Sequence, residues 1–155
     1  MVTGSLYQYP FVPKSFSVGP HHLSYVDEGE GPAVVMVHGN PSWSYLYRNL
    51  ITALKGEYRC LAPDHLGCGL SDKPQNYPYR LRNHIKNLEQ LLDHLRVERC
   101  VLVVHDWGGA IGMGWAGAHS ERIKGIVALN TAAFLSRRLP FRIAVCRWPL
   151  LGAFL

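Results

Sequence analysis

The run Val101-Leu102-Val103-Val104-His105-Asp106-Trp107-Gly108-Gly109 constrains the fold of this chain more than any other stretch. Its β-branched, continuously apolar start predicts a strand buried on both faces, the habit of parallel sheets. Two glycines follow, and Ala110–Ala118 is a run of small residues that predicts a helix. A strand that turns sharply into a helix lifts the residue at the turn above the end of the sheet. In this chain that residue is Asp106.

The flanking sequence repeats the alternation. Residues 22–28 alternate apolar and polar and predict a half-buried strand, closed by the turn Gly29–Pro32. Ala33–Val37 and Tyr58–Ala62 are short apolar runs that predict buried strands. Ser42 is positioned to cap a helix over Tyr45–Leu54. Leu81, Ile85, Leu88, Leu92 and Leu95 stand at helical spacing, so Leu81–Leu95 predicts a helix. Ile123–Leu129 predicts a fourth buried strand after Cys100–Val104. Strands alternating with helices give an α/β protein, a mostly parallel sheet with helices on both faces. Its site belongs at the carboxyl ends of the strands. That rule selects His38–Pro41, Asp64–Asp72, His105–Gly109 and Asn130–Ala133.

Composition narrows the function. The 155 residues are 48% hydrophobic and 17% charged, an ordinary globular balance. The net charge of +5 arises largely from Arg137, Arg138, Arg142 and Arg147, close together near the end, and no acidic residue follows Glu121. No basic stripe interleaved with aromatics appears, which argues against nucleic acid as a partner. Cys60, Cys68, Cys100 and Cys146 form no CxxC pair, and we read them as reduced thiols of a cytoplasmic protein. No signal peptide is expected at the start, and Leu139 to Leu155 is too short and too charged to span a membrane. Membrane contact by Arg137–Leu155 and the oligomeric state stay open at this level.

The chemistry centres on the turn. The usual elbow reads G-x-nucleophile-x-G. Here Asp106 takes the nucleophile position, Gly108 the trailing glycine, and Val104 stands in place of the leading one. A serine there attacks acyl carbon, whereas an aspartate attacks sp³ carbon and becomes an ester. The competing reading of Asp106 is a helix N-cap. His38-Gly39-Asn40-Pro41 follows the strand where an oxyanion-hole donor normally lies. Asn40 and Trp107 offer backbone N–H groups, a side-chain amide and an indole N–H beside the nucleophile. The Asp64–Pro74 block is expected to be structural. His105 should point away from Asp106, because neighbours on a strand face opposite sides. No metal-binding spacing such as HExxH occurs.

Together, His38-Gly39-Asn40-Pro41-Ser42-Trp43, the Asp64–Pro74 block and His105-Asp106-Trp107-Gly108-Gly109 resemble the haloalkane dehalogenase group of the α/β-hydrolase fold. The resemblance implies Asp106 as nucleophile, Asn40 and Trp107 as the halide site, no cofactor and a small hydrophobic substrate. Epoxide hydrolases share the Asp-Trp-Gly-Gly elbow but usually carry a bulky aromatic where Asn40 stands. The β-lactone decarboxylases of olefin synthesis share the Asn and the Trp. Leu129-Asn130-Thr131-Ala132-Ala133-Phe134 and the basic, apolar Arg137–Leu155 resemble that branch equally.

In this fold the acid and then the histidine follow the nucleophile. The last histidine of this chain is His119, and Asn130 and Thr131 stand where one dehalogenase subfamily carries its acid. The resemblance therefore places the catalytic histidine and acid beyond Leu155. It takes residues 1–135 as the N-terminal part of the hydrolase core, truncated before the C-terminal strands, and 136–155 as the start of a helical cap. Such a chain is expected to be alkylated at Asp106 without turning over. The non-enzymatic alternative is a degenerate hydrolase fragment.

Overall fold

The computed structural model describes residues 7–132. Six strands form one sheet: β1 (Lys14–Val18), β2 (His21–Glu28), β3 (Ala33–Val37), β4 (Arg59–Pro63), β5 (Cys100–His105) and β6 (Ile123–Leu129). Their order is β1-β2-β4-β3-β5-β6. The β4–β3–β5–β6 portion is parallel, and β1 and β2 extend it antiparallel. Three helices cover the sheet: α1 (Arg48–Leu54), α2 (Leu81–His94) and α3 (Trp107–Ala118).

The central strands read as continuous apolar runs because both faces are covered. On β3, Val35 and Val37 join Leu102 and Val104 of β5 against Leu88 and Leu92 of α2 and Ile111 and Trp115 of α3. The alternate residues Val34 and Met36 join Val103 and pack with Ile51 of α1, Tyr47, Tyr9 and Phe11. A third cluster sets Leu91 of α2 on Leu23, Tyr25 and Leu66. Burial of this many aliphatic and aromatic side chains, at about 1.5–3 kcal/mol each, is the main stabilising term.

Several expectations need correction. The sequence does not announce the strand Lys14–Val18, because only Val18 of it is buried; it pairs antiparallel with β2. The stretch expected as one helix over Tyr45–Leu54 divides into a 3₁₀ turn, Ser44–Tyr47, and α1. Ser42 does not cap it. That turn starts at Trp43 with no local side-chain cap, and the Ser44 N–H is instead taken by Asp64 from across the sheet. Leu81 is left 39% exposed at the start of α2, although its spacing placed it on the buried stripe. Cys60, Cys68 and Cys100 are free thiols, and burial raises all three. Cys146, the boundary expected near residue 135 and the segment Arg137–Leu155 lie outside the described residues. Among the described residues no helix is long and apolar enough to cross a membrane.

Candidate active site

The parallel strands deliver four loops to one end of the sheet, and the loops after β3 and β5 meet there. Asp106 follows β5 directly and adopts φ 51 and ψ −126. Positive φ is strained for any residue with a Cβ, and such strain concentrates at functional sites. Asp106 occupies the cap position of α3 yet makes no side-chain capping bond. The capping interpretation therefore does not hold. Its carboxylate turns instead toward the loop after β3, where Oδ1 accepts the backbone N–H of Asn40 at 2.9 Å.

That approach depends on missing side chains. A Cβ on Gly39 would strike the Asp106 carboxylate, and a Cβ on Gly108 would strike the carbonyls of Val37 and His38. The trailing glycine of the elbow is thus required by the close packing of α3 on the end of β3. Helix α3 itself starts at Trp107, three residues before the expected Ala110.

Among the described residues no donor reaches the other carboxylate oxygen of Asp106. The residue lines a cavity of about 660 Å³ together with Trp107, Ala110, Asn130, Thr131 and Ala132. Trp107 also borders a second cavity of about 690 Å³, which reaches past Asn40 to Leu66, Tyr79, Leu81, His84 and Ile111. Trp107 is 56% exposed, so its indole stands between the two spaces. The three residues singled out from sequence, Asn40, Asp106 and Trp107, thus converge.

Two buried histidines support this arrangement from below. His38 donates from Nδ1 to the Gly39 carbonyl at 2.7 Å, and its Nε2 accepts the His65 N–H at 3.0 Å. The His65 ring returns a bond from Nε2 to the His38 carbonyl at 3.0 Å. These partners fix His38 as the neutral Nδ1–H tautomer and place a proton on Nε2 of His65. Burial holds both rings below the usual histidine range, and neighbouring histidines depress His65 further. His105 makes no hydrogen bond to Asp106, and its Nδ1 is buried without a partner.

The Asp64–Pro74 block is held by Asp64, which is fully buried. Oδ1 accepts the Ser44 N–H and Oδ2 the Leu70 N–H, each at 2.8 Å. The Tyr9 hydroxyl lies 2.6 Å from the Ser44 hydroxyl, and burial pushes Tyr9 up to about 12. No group of three or more His, Cys, Asp or Glu among the described residues could hold a metal ion.

Comparisons with known proteins define the family. The profile of a family described as alpha/beta hydrolase fold matches residues 32–146. The chain belongs to that family. It is 54% identical over 152 residues to a cis-3-alkyl-4-alkyloxetan-2-one decarboxylase of Shewanella oneidensis, covering 94% of this chain and 48% of that protein. It is 42% identical over 123 residues to haloalkane dehalogenase 2 of Mycobacterium tuberculosis, covering 79% of this chain and 43% of that protein. The tetrameric haloalkane dehalogenase of Paraglaciecola agarilytica superposes with a TM-score of 0.84 at 31% identity, over 97% of this chain and 52% of that one. The chain spans about half the length of these relatives.

Proposed function

We propose that this chain supplies the nucleophile and leaving-group site of an enzyme that displaces a leaving group from an sp³ carbon of a small hydrophobic substrate. The observation that carries it is the Asp106 carboxylate, lifted by a strained elbow at the wall of a cavity, with one oxygen held by the Asn40 N–H and no donor among the described residues on the other. In the first reading the substrate is a haloalkane. The free oxygen of Asp106 bonds to the carbon, the carbon–halogen bond breaks, and halide leaves with the electron pair. The Asn40 N–H is already engaged by the nucleophile, so the halide falls to the Asn40 amide and the Trp107 indole N–H. The oxygen held by the Asn40 N–H, Oδ1, becomes the ester carbonyl, and the same N–H then stabilises the oxyanion when water attacks.

That second step needs a base, and among the described residues no histidine hydrogen-bonds to Asp106. The same reading takes 136–155 as the opening of a cap over the site. A second reading has specific support: the oxetanone decarboxylases of Shewanella oneidensis and Xanthomonas campestris are 54% and 46% identical over more than nine-tenths of this chain. Asp106 would then attack a ring carbon of a β-lactone and break its C–O bond. The freed carboxylate would leave as carbon dioxide, and its electron pair would form an alkene as Asp106 departs.

Intact-mass spectrometry after incubation with 1-bromooctane tests the reading, with Asp106→Asn as control. A persistent adduct equal to one octyl group, absent from the variant, is expected. If the folded chain gains no adduct, release of alkene and carbon dioxide from a cis-3,4-dialkyl oxetan-2-one, absent with Asp106→Asn, decides whether the leaving group is a carboxylate. An equal yield of adduct or of alkene with Asp106→Asn would overturn the nucleophile assignment.

A further inference from the structure

The paired part of β5 and β6 ends at His105 and Leu129, which are partners in register. Immediately beyond that pair both chains pass through positive φ: Asp106 at 51° and Asn130 at 40°. Two strained non-glycine residues thus stand side by side, one step past the last rung. The residue after Asn130 closes the gap. The Thr131 hydroxyl donates to the Asp106 main-chain carbonyl at 2.6 Å. The Gly109 N–H donates to the same carbonyl at 3.0 Å.

Both lone pairs of that carbonyl are therefore engaged, and only one of the two bonds lies within the elbow itself. Gly109 belongs to α3 and would move with Asp106 if the turn relaxed. Thr131 follows a different strand, β6, so its bond ties the elbow to the sheet. The fit is close: a Cβ on Gly109 would collide with the Thr131 hydroxyl. A strained conformation persists only where its surroundings over-determine it.

We propose that Thr131 is a positioning residue, whose hydroxyl latches the Asp106 main chain in its strained turn and so keeps the carboxylate on the Asn40 N–H. It rests on the reading of Asp106 as nucleophile, but the latch itself is a statement about the turn. Without the hydroxyl, the Asp106 peptide can relax toward negative φ. The carboxylate then swings off the Asn40 N–H and away from its line of attack, and misplacement on that scale costs rate rather than fold. The alkylation step itself is unchanged in form: an O–C bond forms at Asp106, the C–Br bond breaks, and bromide leaves with the pair.

The test compares wild type, Thr131→Ser and Thr131→Val, which keep and remove the hydroxyl. Two quantities are read: the maximal rate of octyl–Asp106 formation from 1-bromooctane, and hydrogen exchange at the amides of Gly109 to Ile111, with Leu88 to Leu92 of α2 as the internal reference. Thr131→Val should slow alkylation about tenfold and speed elbow exchange by a similar factor, leaving α2 unchanged. Thr131→Ser should restore both to within about threefold. If Thr131→Val alkylates and exchanges like wild type, or Thr131→Ser behaves like Thr131→Val, the latch is refuted. Absence of alkylation in every protein, wild type included, would refute the haloalkane reading. The exchange pattern then decides the latch by itself, rapid exchange in Thr131→Val alone supporting it and equal exchange in all three refuting it.

Discussion

Two aspartates stand just past the ends of two parallel strands, Asp64 after β4 and Asp106 after β5, and they are used in opposite ways. Asp64 is fully buried and places each oxygen on a backbone N–H. Nothing of it is left for a substrate. Asp106 is half-buried, sits at a strained φ, binds one N–H and lines a cavity. The residue type and the place in the topology are shared. What differs is whether the hydrogen-bonding capacity of the carboxylate is exhausted by the fold. A carboxylate whose acceptors are all occupied holds loops together, and one with an oxygen to spare can do chemistry.

The contrast can be broken most directly by exchanging which aspartate is altered. Asp106→Asn should abolish octyl adduct formation completely while the thermal midpoint stays within a few degrees of wild type. A midpoint that collapses with it would place Asp106 in the same class as Asp64. Asn40→Ala keeps the backbone N–H but removes the amide, and should slow adduct formation by about a hundredfold, the usual effect of losing one donor to developing charge. Unchanged kinetics would remove Asn40 from the leaving-group site.

Asp64→Ala should act on stability instead. It strands two buried N–H groups at about 1–3 kcal/mol each, so urea unfolding should report a loss of roughly 3 kcal/mol. A loss below about 1 kcal/mol would show that water reaches those groups. A smaller effect concerns the supporting histidines. His38, His65 and His84 are depressed by burial, so below the ordinary histidine value of about 6.5 the unfolded chain binds protons that the folded chain refuses. Stability should thus hold above pH 6.5 and decline as the pH falls through the window beneath it. A thermal midpoint independent of pH between 7 and 5 would contradict this. Smallest of all, Asp106→Gly should melt at or slightly above wild type, because glycine carries no penalty at positive φ.

These two aspartates also show what a sequence can and cannot reveal. Asp106 was legible because its signal is local: an apolar run, a turn and a glycine-rich helix start lie within nine residues. Asp64 was readable only as structural, since its partners Ser44 and Leu70 come from two separate loops. For the same reason Ser42 was mistaken for the cap, a local candidate displaced by a distant carboxylate. Strand β1 escaped because its pattern is polar on an exposed edge, although Lys14–Val18 alternates as a strand should. Tyr9 and Phe11, both 6% exposed, sit in a segment that carries no periodicity to mark it as core. Thr131 is not legible as a partner of the elbow, because it stands two residues past β6 and its contact with Asp106 spans 25 residues of sequence.

Strand β6 has a consequence for handling the protein. It pairs with β5 on one side and with no strand on the other among the described residues. Ile126, Val127 and Leu129 are each more than 40% exposed, and Lys124 is the only charge in the strand. An unpaired, apolar edge is a template for adding another chain. This edge is where the sheet can be extended by a further strand, from the same protein or from another. A charge placed at Val127 would disfavour either addition.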